Sequence, residues 1–328
     1  MNFGFVRIAA ATPVVQVADC QHNVSHIATL ARQAASQGAA IVAFPELSIT
    51  GYTCGDLFTQ PFLLQQAEAS LTQLLEETAP LPLLCIAGLP VALDNRLYNT
   101  AVVFNRGQIL GAVPKSYLPN YNEFYENRWF APGIESHAER ISLCGQETPF
   151  STRLLFECGD VCLGVEICED LWVPVPPSSM QALAGANLLV NISASNEMVG
   201  KHAYLRSLIE QQSARTMAAY LYSSAGCGES TTDIVFAGNG IIAENGAILR
   251  ESERFSFGEQ LTLCDVDIER LMALRRKTNT FTSESPQEEY RRIRVGLPVQ
   301  DYTRTSLLRE ISPYPFIPGK DAHIDERC

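Results

Sequence analysis

The sequence predicts an α/β protein in which two mixed β-sheets pack face to face and helices cover their outer sides. Short apolar runs typical of buried strands alternate with segments of helical periodicity. This β-α-β content occurs in two halves of similar length, and each half also contains a hairpin pattern. Because helices and sheets must bury their apolar faces against one another, these elements predict a layered sandwich.

The first half opens with a strand, a helix and a strand. Residues 5–11 (FVRIAAA) form a short apolar run that ends before Pro13, as expected for an interior strand. Asp19 can cap the following helix, whose apolar positions recur at helical spacing as far as Gly38. The run AIVAF at 40–44 then predicts a second buried strand.

A second helix and three strands complete this half. Leucine and alanine at helical spacing predict a helix over residues 62–77, and LLCIAGL at 83–89 predicts a strand. Beyond residue 98, two β-rich runs flank the polar turn at 105–107, which predicts a hairpin.

The second half repeats this arrangement. Strands are predicted over residues 154–156, 161–167, 187–192 and 220–225, with a short helix at 180–184, a long helix at 201–218 and a final hairpin. After residue 275 the chain becomes polar and rich in proline. We therefore expect residues 1–275 to form one domain and residues 276–328 an extended tail or linker, with a disordered terminus as the alternative.

Composition and charge exclude several classes of protein. With 328 residues and 46% hydrophobic residues, the chain is not an intrinsically disordered protein. The net charge of −12 argues against nucleic-acid binding, which needs a basic surface. The ten cysteines are scattered as in reduced proteins, and neither a signal peptide nor a membrane-spanning run is evident. We expect a soluble, cytoplasmic protein.

Cys168 is the strongest candidate for a chemical role. It follows the apolar strand at 161–167 and precedes two acidic residues and a turn. A nucleophile at a strand end, with the next backbone N–H free to face a developing oxyanion, recurs in acyl-transfer enzymes. The alternative is an inert, buried cysteine.

Glu46 and Lys115 also follow predicted strands. Glu46 comes after the strand at 40–44, and a carboxylate in apolar surroundings is suited to act as a general base. Helix capping is its alternative role. Lys115 precedes an aromatic, acid-rich loop, and a solvated surface lysine is the alternative there.

The motifs FPEL, PKSYLPNY and EICEDLW, in this order, closely resemble the nitrilase superfamily over most of the chain. The resemblance implies an αββα sandwich with a Glu-Lys-Cys triad. Glu46 would take the thiol proton of Cys168, which forms a thioester. Lys115 and the backbone N–H of Glu169 would stabilise the oxyanion. A second glutamate of the superfamily maps onto Glu123, eight residues after Lys115, where it would orient the lysine or assist proton transfer.

Further motifs (ITGY, LPNY, CEDLW and TSLLREISPYPFIP) are similar to the glutaminase domain of glutamine-dependent NAD synthetases. The resemblance implies hydrolysis of the glutamine side-chain amide and delivery of ammonia to a synthetase domain. The substrate contacts of that family map onto Tyr52, Tyr121, Glu169, Trp172 and Ser195. The aromatic residues would wall the pocket, and Glu169 and Ser195 would hold the α-amino and α-carboxylate ends. Lys201 stands where some members have arginine, and it would meet a carboxylate as a point charge.

The same resemblance bears on cofactors and partners. The glutaminase reaction would need no cofactor and no metal, whereas ATP and deamido-NAD would be used by a synthetase domain. No SGGxDS phosphate loop occurs before Cys328, so this chain alone should not make NAD. The resemblance also implies homo-oligomers. Cys158 and Cys162 have neither a nearby histidine nor the spacing of a zinc site.

Two other functions stay open at this point. One is a separate nitrilase-type amidase or carbamoylase that acts on another small amide. The other is a non-catalytic domain that only docks a synthetase, for which Cys168 would be unreactive. A catalytic Cys168 predicts a thiol of low pKa that iodoacetamide labels preferentially. If Glu46 must be ionised and Lys115 charged, activity should fall at both acid and alkaline pH.

Overall fold

A computed structural model describes residues 4–283, 289–296 and 306–311 of the chain. Its elements are numbered in chain order. The strands are β1 (Phe5–Thr12), β2 (Ile41–Ala43), β3 (Leu84–Leu93), β4 (Arg96–Asn105), β5 (Gln108–Pro114), β6 (Arg140–Leu143), β7 (Gln146–Pro149), β8 (Leu154–Cys158), β9 (Val161–Ile167), β10 (Leu188–Ser193), β11 (Ala219–Ser224), β12 (Gly240–Glu244), β13 (Ala247–Glu251), β14 (Gln260–Asp267) and β15 (Arg291–Arg294). The helices are α1 (Cys20–Ser36), α2 (Pro61–Thr78), α3 (Pro177–Leu183), α4 (Lys201–Arg215), α5 (Ile268–Lys277) and α6 (Asn279–Thr282).

Two large mixed sheets form the centre of the molecule. The first has six strands in the order β14-β1-β2-β3-β4-β5, and the second has seven in the order β13-β12-β11-β10-β9-β8-β15. Helices α1 and α2 cover the first sheet, and α3 and α4 cover the second. The predicted α/β sandwich of two mixed sheets with outer helices is confirmed.

The space between the sheets is filled by aliphatic side chains. Ile8 and Ile86 of the first sheet and Val165 and Leu221 of the second belong to one buried cluster. Fully burying each side chain of this kind contributes about 1.5–3 kcal/mol. Because strands in this layer are buried on both faces, they have continuous apolar runs, which is why the sequence identifies them.

Helix α1 shows how local sequence sets an element's limits. Asp19 caps it by accepting the backbone N–H of His22 at 3.0 Å. The helix ends at Ser36, and Gly38 then adopts a φ of +79°, in the left-handed region that glycine enters without strain. The predicted start and stop are therefore both correct.

The strand prediction at 83–89 is too short. Strand β3 continues through Pro90 to Leu93 and turns back into β4 through Asp94 and Asn95, which have φ values of 49° and 61°. Proline lacks an N–H and suggests a strand end in a sequence, but a strand can include it where that donor is not needed. Strand β14 is a further element that the sequence did not indicate.

Parts of the predicted tail pack on the sandwich. Strand β15 adds a parallel neighbour to β8 at the edge of the second sheet. Leu308 donates its backbone N–H to Asp265 Oδ2 at 2.6 Å, and Arg309 lies 2.8 Å from Glu244. The domain boundary after residue 275 stays a prediction, and most of the TSLLREISPYPFIP motif lies outside the described residues.

No helix in the described ranges combines the length and apolarity needed to cross a bilayer.

Candidate active site

Three strand ends bring the predicted triad together. Glu46 follows β2, Lys115 directly follows β5 and Cys168 directly follows β9. All three side chains are buried. Glu46 also reaches the second sheet, since its backbone N–H donates to Ser193 O at 3.3 Å. The site therefore lies where the ends of the two sheets meet.

Lys115 lies between two carboxylates. Its Nζ is 2.7 Å from Glu46 Oε1 and 2.7 Å from Glu126 Oε1, and these side chains are almost fully excluded from water. Burying a charge is costly unless it is paired, and here the lysine has two partners. The second carboxylate on Lys115, besides that of Glu46, belongs to Glu126 and not to Glu123, which corrects the mapping made from the sequence.

The local fold places the side chains of Glu123 and Glu126 in different positions. A short 3₁₀ turn at Glu126–Arg128 packs the Glu126 side chain inward. Glu123 instead lies at the rim of the cavity that opens onto Cys168, where Asn196 donates a hydrogen bond to its carboxylate. Both glutamates stand in the same acid-rich loop of the sequence, and spacing alone does not distinguish them.

Glu46 is held by three donors. Its Oε1 accepts Asn99 Nδ2 at 2.6 Å in addition to Lys115, and its Oε2 accepts the backbone N–H of Ala194 at 2.8 Å. The loop that carries Glu46 passes very close to Gly88 of β3, where an added Cβ would lie 2.2 Å from Leu47 N. Glycine at this position lets the loop approach, and Asn99 is a site residue that the sequence did not reveal.

The backbone of Cys168 has an unusual conformation. Its φ is 46°, in the left-handed region, and a 3₁₀ turn (Cys168–Leu171) begins there. Asn191 of the neighbouring strand β10 accepts the N–H of Cys168 at 3.1 Å and donates to its carbonyl at 3.4 Å. Strained backbone at a strand-to-turn junction is typical of nucleophiles.

Burial raises the pKa of the Cys168 thiol to about 12, with the Glu46 carboxylate acting in the same direction and Lys115 against it. This direction is opposite to the low-pKa thiol expected from the sequence, and the reactivity of Cys168 stays a prediction. Burial would by itself lower the pKa of Lys115, but Glu126 and Glu46 raise it well above its ordinary value. The direction of this shift favours a charged Lys115.

Asp170 ties the loops of Lys115 and Cys168 together. Its Oδ1 accepts the N–H of Tyr117 at 2.9 Å, and its Oδ2 accepts the N–H of Ile167 at 3.0 Å and of Ser116 at 3.3 Å. The side chain is buried. Because these donors flank Lys115 and Cys168, the carboxylate fixes the two functional side chains relative to each other.

A cavity of about 350 Å³ opens onto Cys168. Its walls include five of the predicted substrate contacts, namely Tyr121, Glu169, Trp172, Ser195 and Lys201. Tyr52 is not among its wall residues: the Tyr52 hydroxyl donates to Glu126 Oε1 at 2.8 Å, behind the triad. Tyr52 lines a neighbouring cavity of about 230 Å³, which shares Glu123 and Phe124 with this one, and its contact with substrate stays a prediction.

The cavity walls carry one basic and two acidic side chains. Tyr121 Oη donates to both carboxylate oxygens of Glu169 at 2.9 Å. Lys201 Nζ lies 4.8 Å from the centre of the Trp172 ring and donates to Asn196. Burial lowers the pKa of Lys201 and raises the pKa of Glu169. A small molecule with separate cationic and anionic ends matches this distribution of charge.

Within residues 4–283, 289–296 and 306–311, no group of three or more His, Cys, Asp or Glu side chains is arranged to hold a metal ion.

Comparison with known proteins identifies the class to which this fold and site belong. The family model of carbon-nitrogen hydrolases matches residues 6–276, so the chain belongs to the carbon-nitrogen hydrolase family. The whole chain is 42% identical to glutamine-dependent NAD(+) synthetase of Mycobacterium tuberculosis, of which it covers 50%. It is 41% identical over 99% of its length to the Mycobacterium leprae enzyme of the same name, of which it covers 49%. The chain thus spans about half the length of these relatives.

Solved structures agree with this assignment. A glutamine-dependent NAD(+) synthetase from Cytophaga hutchinsonii superposes with a TM-score of 0.73 at 27% identity, over 80% of this chain and 43% of that one. An amidase of Nesterenkonia AN1 from the nitrilase superfamily superposes with a TM-score of 0.65 at 19% identity, over 83% and 94% of the two chains, and shows the same fold. The resemblance to nitrilases and to part of the NAD synthetases is confirmed.

Proposed function

We propose that the chain is a glutamine amidohydrolase that releases ammonia through a thioester on Cys168. The observation that carries the proposal is Lys115 held between Glu46 and Glu126, beside a buried cysteine at a cavity with charged walls. This set provides a nucleophile, a base and a fixed positive charge in a water-poor site, as acyl transfer requires.

The first half of the reaction forms the acyl-enzyme. Glu46 takes the thiol proton as Cys168 Sγ attacks the side-chain amide carbon of glutamine. The raised pKa of Cys168 makes this base necessary, because few thiols are ionised at neutral pH. The amide oxygen becomes an oxyanion, which Lys115 and the backbone N–H of Glu169 stabilise. The carbon–nitrogen bond then breaks, the nitrogen receives the proton from Glu46, and ammonia leaves.

The second half returns the enzyme to its resting state. Water attacks the thioester carbon, Glu46 accepts a proton from that water, and the carbon–sulfur bond breaks. The proton passes back to the Cys168 sulfur, and glutamate leaves. Each half uses the same base and the same oxyanion contacts, so one set of residues serves both steps.

The walls of the cavity suit the two ends of glutamine. Glu169 carries the negative charge that the α-amino group needs, and Tyr121 orients that carboxylate. Lys201 supplies a positive charge for the α-carboxylate, and Ser195 a hydroxyl. Trp172 closes the wall beside Lys201.

We further propose that the ammonia feeds an ATP-dependent synthetase domain that uses deamido-NAD, while the hydrolysis itself needs no cofactor. The support is the name of the relatives, which are about twice as long as this chain. We also propose a cytoplasmic homo-oligomer. Light scattering of the purified chain tests the assembly, and the mass of a monomer would contradict it.

Glutamate release from glutamine by the purified chain tests the main proposal. Cys168→Ala should abolish release, while Cys158→Ala, which removes another buried thiol at the far end of the same hairpin, should retain it. Release that persists in Cys168→Ala would overturn the mechanism. A panel of asparagine, a short aliphatic amide and an N-carbamoyl amino acid distinguishes glutamine from other small amides, because faster turnover of any of these would reassign the substrate.

A further inference from the structure

A buried tyrosine behind the triad has no role in the chemistry proposed above. Tyr52 Oη donates to Glu126 Oε1 at 2.8 Å, and Lys115 Nζ donates to the same oxygen at 2.7 Å. The other oxygen, Glu126 Oε2, is buried and has no hydrogen-bond partner in the part of the chain that the structure describes. The ionised form of Glu126 is therefore stabilised by two donors that share one oxygen.

A second buried carboxylate fixes Tyr52. Glu229 Oε1 accepts the N–H of Tyr52 at 2.7 Å, and Glu229 Oε2 accepts the N–H of Thr53 at 3.0 Å. The preceding Gly51 has a φ of 83°, which lets the chain turn into the short helix. The Tyr52 ring also packs edge-on against Phe236, with 6.0 Å between ring centres. The position of the Tyr52 hydroxyl is thus fixed by the hydrogen bond of its backbone N–H and by the packing of its ring.

We propose that Tyr52 is a positioning residue for Glu126, which it keeps ionised and directed at Lys115. A protonated Glu126 is a weaker acceptor and would leave Lys115 to pair with Glu46 alone. Glu46 would then be less available to take the cysteine proton. An ionised Glu126 shares the charge of Lys115, so that Glu46 can act as the base.

The charged groups around Glu126 support this role. Burial and the nearby Glu46 raise the pKa of Glu126 to about 7, while Lys115 and the Tyr52 hydroxyl oppose the rise. Cys168 also faces this cluster. Burial, together with Glu126, raises the pKa of Tyr52 well above its usual value, so its hydroxyl keeps its proton and remains a donor. Replacing Tyr52 by phenylalanine removes a hydrogen-bond donor to the ionised form of Glu126. The pKa of Glu126 should therefore rise by about one unit.

Infrared difference spectroscopy of the whole chain tests the proposal without a substrate. The carbonyl stretch of a protonated carboxyl group is followed from acid to alkaline pH, and Glu126→Gln identifies the band. The midpoint for Glu126 should rise by about one pH unit in Tyr52→Phe. Tyr125→Phe is the matched control, because its hydroxyl lies in the same loop as Glu126 and donates to Asp233. A midpoint that Tyr52→Phe leaves unchanged or lowers would overturn the proposal.

A second replacement separates the hydrogen bond from packing. Replacing Tyr52 by 3-fluorotyrosine keeps the ring size and makes the hydroxyl a stronger donor. The midpoint should then fall below that of the unmodified protein, because a stronger donor favours the carboxylate. Looser packing would not produce opposite shifts from the two replacements. A shift in the same direction for both would contradict the proposed role.

Activity provides a readout that rests on the proposed function. With glutamine, Tyr52→Phe should be about tenfold slower than the unchanged protein at pH 6 and within about twofold at pH 8.5, as a one-unit pKa shift requires. Equal slowing at every pH would indicate a structural defect and contradict the proposal. If no variant hydrolyses glutamine, the proposed function fails, while the infrared midpoints still decide the role of Tyr52.

Discussion

The backbone N–H of Tyr117 donates to Asp170 Oδ1 at 2.9 Å, and so it joins the loop that follows Lys115 to the turn that follows Cys168. The two loops come from different sheets, since Lys115 directly follows edge strand β5 of the first sheet and Cys168 directly follows β9 of the second. A single buried carboxylate thus sets the distance between the nucleophile and the fixed positive charge.

Asp170→Asn should reduce both activity and stability. An amide can accept with only one of its two ends, so at least one backbone N–H loses its partner. We expect the free energy of unfolding to fall by about 1–3 kcal/mol. Turnover should fall more than about tenfold, because misplacing reacting groups by 1 Å is costly. Urea unfolding and glutamate release measure the two effects. Asp160→Asn, at an exposed turn, is the control. Equal losses of stability and turnover in the two variants would contradict the role of Asp170 in holding the two loops together.

Removing the positive charge at position 115 should destabilise the protein in a pH-dependent way. Lys115→Met leaves two buried carboxylates without their cation, which costs about 3–5 kcal/mol. The loss should be largest near pH 8 and smaller near pH 5, where the carboxylates can take up protons. Turnover should fall by about 10²–10³ or more, as for loss of an oxyanion donor. Unfolding curves at both pH values check this, with the exposed Lys277→Met as control. A loss that does not change with pH would be inconsistent with the buried pairing.

Glu126 should make the protein less stable as pH rises. Burial raises its pKa in the folded protein to about 7 from an ordinary value of 4.5. Between these values the unfolded chain releases a proton that the folded protein retains, so the contribution to stability is complete below about pH 4.5 and is lost by about pH 7. Relative to Glu126→Gln, the unchanged protein should lose up to about 3 kcal/mol across this window. Denaturation at pH 4.5 and 7.5 measures the difference, with the exposed Glu139→Gln as control, and an equal difference for both variants would contradict the assignment to Glu126.

Lys201 should affect substrate affinity more than turnover. If its ammonium group holds the α-carboxylate of glutamine, Lys201→Met removes a charged hydrogen bond and should raise KM about 10- to 100-fold. The value of kcat should change less, because the contact exists in both ground and transition states. Lys201→Arg keeps the charge and should stay close to the unchanged protein. A fall in kcat with no change in KM would assign Lys201 a different role.

The triad could be predicted because each member leaves a local signal. Glu46, Lys115 and Cys168 each follow a short apolar run, and strands that end at the same edge bring their next residues together. The fold class follows from the same runs. The resemblance to nitrilases adds the roles, and the structure places the three side chains in one cluster.

The rest of the site depends on tertiary contacts that have no local signature. Glu123 and Glu126 are three residues apart in one polar loop, and only the packing of a 3₁₀ turn decides which one meets Lys115. Tyr52 follows the Glu46 motif closely in sequence, yet its ring faces the rear of the cluster. Asp170 contacts Tyr117 from another sheet. Such pairings over long sequence separations are invisible to periodicity.

Mass spectrometry of the chain quenched during turnover of glutamine tests the thioester on Cys168 most directly. The mechanism predicts that a fraction of the protein gains the mass of one glutamyl group, and that peptide mapping places this group on Cys168. Hydroxylamine should remove it, as expected for a thioester. Steady release of glutamate with no adduct on Cys168, or with an adduct on another residue, would rule out this mechanism.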